Sequence, residues 1–122
     1  MYRISKKFTF SASHKLNGLP DDHPCSRDHG HNYTVTVFFG STQLDENGMI
    51  RDYRELDKIK EWIDIRLDHR CLNDMMIGNP TAENIAGWLY TVFSRNYPDL
   101  YRIEVSETDK TSASFEPSYD PS

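Results

Sequence analysis

Two imidazoles stand two residues apart at His29 and His31, in the run Cys25-Ser26-Arg27-Asp28-His29-Gly30-His31, with a thiol just upstream. In an extended strand, residues i and i+2 share a face, so this pair can grip one ion together. A third imidazole, His14, ends the alternating run Phe8-Thr9-Phe10-Ser11-Ala12-Ser13-His14, in which Phe8, Phe10, Ala12 and His14 share a face. Three neutral imidazoles leave the fourth position of a tetrahedral zinc ion open to water or substrate, the pattern of a catalytic rather than a structural site. The spacing therefore favours a metal ion held by His14, His29 and His31 over three unrelated polar side chains near a loop. His23 lacks such spacing and reads as a loop residue.

Three other features could do chemistry. Cys25 lies among Pro24, Ser26, Arg27 and Asp28 rather than in an apolar run. That setting fits a reactive thiol assisted by nearby cations as well as it fits an ordinary loop cysteine. Cys71, followed by Leu72, reads as packing. Asp68-His69 fits a solvated helix end, where the dipole favours histidine, or a carboxylate–imidazole pair that moves protons. Tyr101, Ile103, Val105 and Glu107 fall on one face of a strand, so Glu107 ends an apolar row. Either the strand reaches solvent at that point, or the carboxylate meets donors, as a heterocycle with an amino group beside a ring N–H would supply.

The elements that must position these residues follow from periodicity. Residues 2–14 alternate as a strand, and 17–24 form a loop marked by Gly18, Pro20 and Pro24. A second strand is expected from about His29 to Gly40, with His31, Tyr33, Val35, Val37 and Phe39 on one face. Asn47-Gly48 signals a tight turn. Asp52 with Glu55 three residues on reads as a variant capping box, opening a helix that buries Leu56, Ile59, Ile63 and Leu67. Thr81 caps a second helix, with Glu83 in its first turn and an apolar stripe of Ile85, Trp88, Leu89, Val92 and Phe93; Pro98 limits it. Strands over about Tyr101–Thr108 and Ala113–Ser118 close the chain. The order ββααββ predicts an α+β domain: a four-stranded antiparallel sheet with two helices on one face. The other, aromatic-bearing face invites oligomerisation.

Composition limits the alternatives. A chain of 122 residues fits one domain, and 37% hydrophobic with 27% charged residues is a globular balance rather than a disordered one. A net charge of −5 provides no basic footprint for nucleic acid. The start, Met1 to Lys7, lacks the apolar core of a signal peptide, and no stretch is long enough for a membrane span, so no membrane partner is expected. Two cysteines, Cys25 and Cys71, make no disulfide framework and suit a reducing cytoplasm.

Five separated segments resemble the 6-pyruvoyltetrahydropterin synthase family, in order and over nearly the whole chain. They are Phe10-Ser11-Ala12-Ser13-His14; Cys25 with His29-Gly30-His31-Asn32-Tyr33; Leu67-Asp68-His69 with Leu72-Asn73; Pro80-Thr81-Ala82-Glu83-Asn84; and Val105-Ser106-Glu107-Thr108. The three residues between Cys25 and His29 resemble the bacterial branch, the 6-carboxytetrahydropterin synthases of queuosine-type (7-deazaguanine) biosynthesis. The resemblance implies one such domain over 1–122 with a tunnelling fold (T-fold), whose sheets join three subunits into a barrel while two trimers stack into a homohexamer. It implies zinc on His14, His29 and His31, Cys25 as proton-abstracting base, and Asp68 with His69 as relay. Glu107, with Thr108, would anchor the pterin, in active sites between subunits. The implied reaction is that of a carbon–carbon lyase, converting 7,8-dihydroneopterin triphosphate to 6-carboxy-5,6,7,8-tetrahydropterin, acetaldehyde and triphosphate. The alternatives are 6-pyruvoyltetrahydropterin synthesis by triphosphate elimination and a non-catalytic zinc-dependent pterin-binding protein.

Overall fold

The computed structural model describes residues 1–118, so the last four residues of the expected 1–122 domain lie outside the described residues. Two thirteen-residue strands, β1 (Tyr2–His14) and β2 (His29–Ser41), pair antiparallel along their whole length. Their register sets Phe8 against Val35, Phe10 against Tyr33, Ala12 against His31 and His14 against His29. Because side chains alternate with period two, the apolar row of each strand and its terminal histidine face the same way. Phe8, Phe10, Ala12, Tyr33, Val35, Val37 and Phe39 are all buried on that face.

Both helices cover it. Asp52 does act as a cap, but of a 3-10 turn, Tyr53–Leu56, in which the Arg54 N–H donates to Asp52 Oδ1 at 2.9 Å. That turn feeds α1 (Asp57–Arg66). The capping box does not close: the Glu55 carboxylate pairs instead with Arg51 at 2.6 Å, a cation that Asp99 also holds. Leu56, Ile59, Ile63 and Leu67 are buried as the helical spacing predicts. In α2 (Ala82–Ser94), the Thr81 hydroxyl accepts the Asn84 N–H at 3.1 Å, and Ile85, Ala86, Leu89 and Phe93 enter the core. Trp88 and Val92 of the expected stripe lie at its margin; Trp62 of α1 meets Trp88 and Phe93 edge-on, which seals the two helices together.

Two features depart from the expected sheet. It is five-stranded and mixed, in the order β3-β1-β2-β4-β5, because β3 (Arg70–Cys71) adds to the far edge of β1 in parallel. Two residues carry no readable periodicity, so the sequence pattern cannot announce such a strand. Strands β4 (Leu100–Thr108) and β5 (Thr111–Phe115) complete it, β5 starting and ending earlier than the expected Ala113–Ser118. The second departure is a bulge: Phe38 pairs with Arg102 but Phe39 with Leu100, leaving Tyr101 as the extra residue. An extra residue reverses the in–out alternation. Leu100 and Ile103 therefore point into the core, and Tyr101 leaves the row expected of it to lie near Phe38 and the Arg3 guanidinium.

The faces of α1 give a direct check. Ile63→Ala, in the core, should destabilise the chain by about 2–5 kcal/mol, whereas Ile65→Ala, at a position 64% exposed, should fall within about 0.5 kcal/mol of the parent. Urea midpoints of the two variants measure the difference; equal losses would mean that α1 packs by another face.

Candidate functional site

The register of β1 and β2 delivers the three histidines to one point. Their candidate ligand atoms lie within 4.8 Å of one another. His14 is buried, and its Nδ1–H donates to the Pro80 carbonyl at 2.7 Å; the His29 Nδ1–H donates to the Arg27 carbonyl at 2.7 Å. Each of these bonds commits the proton to Nδ1 and leaves Nε2 as a bare lone pair. The two Nε2 atoms face one another at 3.0 Å. Two lone pairs that close repel unless a cation lies between them. Nitrogens about 2.05 Å from one ion at the tetrahedral angle would stand about 3.3 Å apart, so the spacing suits a shared metal. His31 Nε2 is buried without a hydrogen-bond partner among the described residues. Burial pushes the His31 pKa down, Glu107 opposes the shift, and His14 and His29 reinforce it, which favours the free-base ring that a metal requires. The donor set thus fits a metal ion.

Cys25 and Glu107 share a cavity with His14. The cavity, of about 310 Å³, is walled by Leu16, Val105, the start of α2 at Thr81–Glu83, and Thr111–Ala113 of β5. Glu107 is half-buried with its Oε2 3.7 Å from His31 Nε2, so β4 carries it into the site rather than out into solvent. The Tyr33 hydroxyl is buried with no partner among the described residues, and burial together with the Glu107 charge raises its pKa, so it stays protonated. Thr108 lies at the β4–β5 hairpin, where its hydroxyl meets that of Thr111 at 3.1 Å.

Asp68 and His69 stand elsewhere. They pair with each other at 2.9 Å, but His69 lines a second cavity, of about 440 Å³, bordered by Ser11, Ser13, Gly30, Asn32 and Cys71, and no lining residue is common to the two cavities. His31 borders the second cavity as His14 borders the first, which puts the histidine cluster between them. The His69 side chain is 82% exposed and its φ is +59°, in the left-handed region that a side chain enters at a cost. The Ser11 N–H, which donates to Asp68 Oδ1 at 2.9 Å, is the main cause holding that carboxyl below its usual range; His69 adds to it.

Several residues that periodicity does not mark build this site. The backbone just beyond β1 has no strand partner, and two side-chain amides supply one. Asn73 accepts the Lys15 N–H and donates to the Lys15 carbonyl, both at 2.9 Å. Asn79 does the same for Asn17, at 2.7 and 2.9 Å. Between them the Leu16 N–H donates to the Cys25 carbonyl at 2.7 Å. An amide side chain reproduces the donor and acceptor of a peptide group, but its partner is chosen by tertiary structure, so no local pattern identifies it.

The family described as 6-pyruvoyl tetrahydropterin synthase matches residues 3–118. A protein of Archaeoglobus fulgidus, provisionally named a 6-carboxy-5,6,7,8-tetrahydropterin synthase, is 33% identical over 101 residues, 83% of this chain and 84% of its own. The dihydroneopterin monophosphate aldolase of Pyrococcus furiosus is 36% identical over 76 residues, 62% of this chain and 64% of its own. Among solved structures, Caenorhabditis elegans 6-pyruvoyl tetrahydropterin synthase superposes with a TM-score of 0.82 at 25% identity, covering 96% of each chain. Among the described residues, no helix is long and apolar enough to cross a membrane.

The purified chain should take up one divalent transition-metal ion per subunit, measured by elemental analysis after dialysis. His29→Ala or His31→Ala should abolish uptake while preserving the circular dichroism of the fold. Uptake by the parent should weaken as the pH is lowered, because protons compete with the metal for the imidazoles. Full occupancy in His29→Ala would disprove the ligand set.

Proposed function

This chain belongs to the 6-pyruvoyl tetrahydropterin synthase family, and from that premise we propose that it converts 7,8-dihydroneopterin triphosphate to 6-carboxy-5,6,7,8-tetrahydropterin, acetaldehyde and triphosphate, as a zinc-dependent carbon–carbon lyase of queuosine-type (7-deazaguanine) biosynthesis in the cytoplasm. The observation that carries the reading is the meeting of Cys25, Glu107 and His14 in one cavity beside the histidine cluster. A zinc ion on His14, His29 and His31 would supply Lewis acidity toward the hydroxyls of the pterin side chain.

The chain's own groups divide the remaining work. Cys25 is assigned as the base that takes a proton from the substrate side chain, a task that a thiolate can perform. Asp68 and His69 are assigned as the relay. The aspartate is kept ionised by the Ser11 N–H and orients the imidazole through their 2.9 Å contact. Glu107 is assigned to the pterin, accepting two parallel hydrogen bonds from the ring's amino group and adjacent N–H. Thr108, whose hydroxyl meets that of Thr111 across the hairpin, is assigned with Glu107 to binding the pterin. The carboxy-forming branch is preferred to pyruvoyl formation because three residues separate Cys25 from His29, and because the archaeal relative bears that name. A non-catalytic pterin-binding role would leave Cys25, Asp68 and His69 without a task.

The separation of Cys25 from Asp68-His69 favours active sites completed between subunits, and with it the homohexamer built from two trimeric barrels. Mass spectrometry of the products decides the branch: a 6-carboxy product supports the reading. A 6-pyruvoyl product, or cleavage to a hydroxymethyl pterin as the aldolase relative's name suggests, overturns it. Cys25→Ala and His69→Ala should each be inactive alone, Cys71→Ala should be active, and mixed Cys25→Ala and His69→Ala subunits should regain activity through hybrid interfaces. A fully active monomer by light scattering would refute the shared site.

Glu107→Gln should weaken substrate binding by about 1.5–3 kcal/mol, because an amide cannot accept both ring hydrogens. Metal content and affinity for free triphosphate should not change. Calorimetric titration with dihydroneopterin triphosphate tests this; unaltered affinity would place the pterin anchor elsewhere.

A further inference from the structure

Both peptide groups that flank the Cys25 α-carbon are tied down, and one of the two ties is a side chain. Residues Pro24–Ser26 form a single 3-10 turn with His23 as its cap, and the Cys25 N–H donates to His23 Nδ1 at 3.0 Å. On the other side the Cys25 carbonyl accepts the Leu16 N–H at 2.7 Å, two residues beyond His14. The Ser26 hydroxyl closes the turn by donating to the His23 carbonyl at 2.7 Å. With both peptide planes fixed, the thiol keeps only rotation about its own side-chain bond. The backbone tie sets Cys25 relative to His14. The tie from His23 sets the orientation of the turn itself.

We infer that His23 is a positioning residue for the reaction: its imidazole caps the turn that presents the Cys25 thiol to the substrate. This rests on the assignment of Cys25 as the base. The residue type supports it. Such caps are normally Ser, Thr, Asp or Asn. The imidazole accepts the Cys25 N–H through its Nδ1 lone pair, the role those shorter side chains fill through oxygen. Proline at position 24 suits the first residue of the turn, where no N–H is required.

The test compares His23→Ala with His23→Asn, because asparagine restores a short neutral acceptor. Steady-state kcat and KM are measured with dihydroneopterin triphosphate. The rate of iodoacetamide labelling at Cys25 is followed by peptide mass spectrometry, with Cys71 in the same chain as internal reference. His23→Ala should lower kcat about tenfold, the scale of a lost cap, with KM and zinc content unchanged and the Cys25-to-Cys71 labelling ratio altered. His23→Asn should recover both readouts to within about twofold. Parental kcat and labelling in His23→Ala would overturn the inference, as would an asparagine variant no better than alanine. If the parent itself does not turn over dihydroneopterin triphosphate, the proposed function fails, and the labelling ratio still decides whether His23 holds the thiol.

Discussion

The site depends on one seam, the outer edge of β1 and the backbone just beyond it, from Ser11 to Asn17. The inner edge of β1 is paired with β2 throughout, but the outer edge would expose a row of N–H and carbonyl groups, each costly to leave unmet once buried. The chain returning from α1 meets them in turn. Asp68 accepts the Ser11 N–H and the His69 N–H donates to the Ser11 carbonyl; β3 pairs Ala12 and Ser13; the Pro80 carbonyl accepts the His14 ring N–H; Asn73 and Asn79 bracket Lys15 and Asn17. A single stretch of backbone thereby fixes a candidate metal ligand, the Asp68-His69 pair and, through Leu16, the Cys25 turn.

The histidine cluster sets its own requirement on that seam. His14 and His29 are direct cross-strand partners, so the register of thirteen paired residues decides whether they meet. A slip of one position would send every side chain of one strand to the opposite face. The apolar rows ahead of the histidines prevent it, since burying Phe8, Phe10, Val35 and Val37 is worth about 1.5–3 kcal/mol each. Core packing thus supplies the energy that brings the two imidazoles together, and a cation bound to their Nε2 atoms would stabilise the native state further.

The features legible in the sequence were those with a local cause. Alternation marked β1 and β2, the i, i+3, i+4 spacing marked the buried faces of both helices, and Asp52 and Thr81 marked their entrances. What stayed hidden depended on residues distant along the chain. Strand β3 exists because the edge of β1 needs partners, not because Arg70 and Cys71 favour a strand. The bulge at Tyr101 comes from fitting β4 to β2, and it exchanged Tyr101 for Leu100 in the core row. Arg51 drew Glu55 out of the capping box because it is anchored from the other side by Asp99. The convergence of the three histidines was readable because strand geometry alone brings it about. The bonds made by Asn73, Asn79 and His23 were not, since loop residues choose partners only after the fold has formed.

The two halves of β1 end in contrasting states. Its C-terminal half is sealed by the return segment, whereas among the described residues its N-terminal half has β2 as its strand partner on one side only, and β5 likewise borders only β4. Open edges of this kind are hazards unless covered. Joining the edges of several copies into a barrel removes them altogether. Under the proposed function the same step would bring the Asp68-His69 pair of one subunit toward the Cys25 cavity of another. Closing the sheet and completing the active site then become one event. A strand sealed where it carries the candidate ligands and open where it would meet a second copy is consistent with both demands.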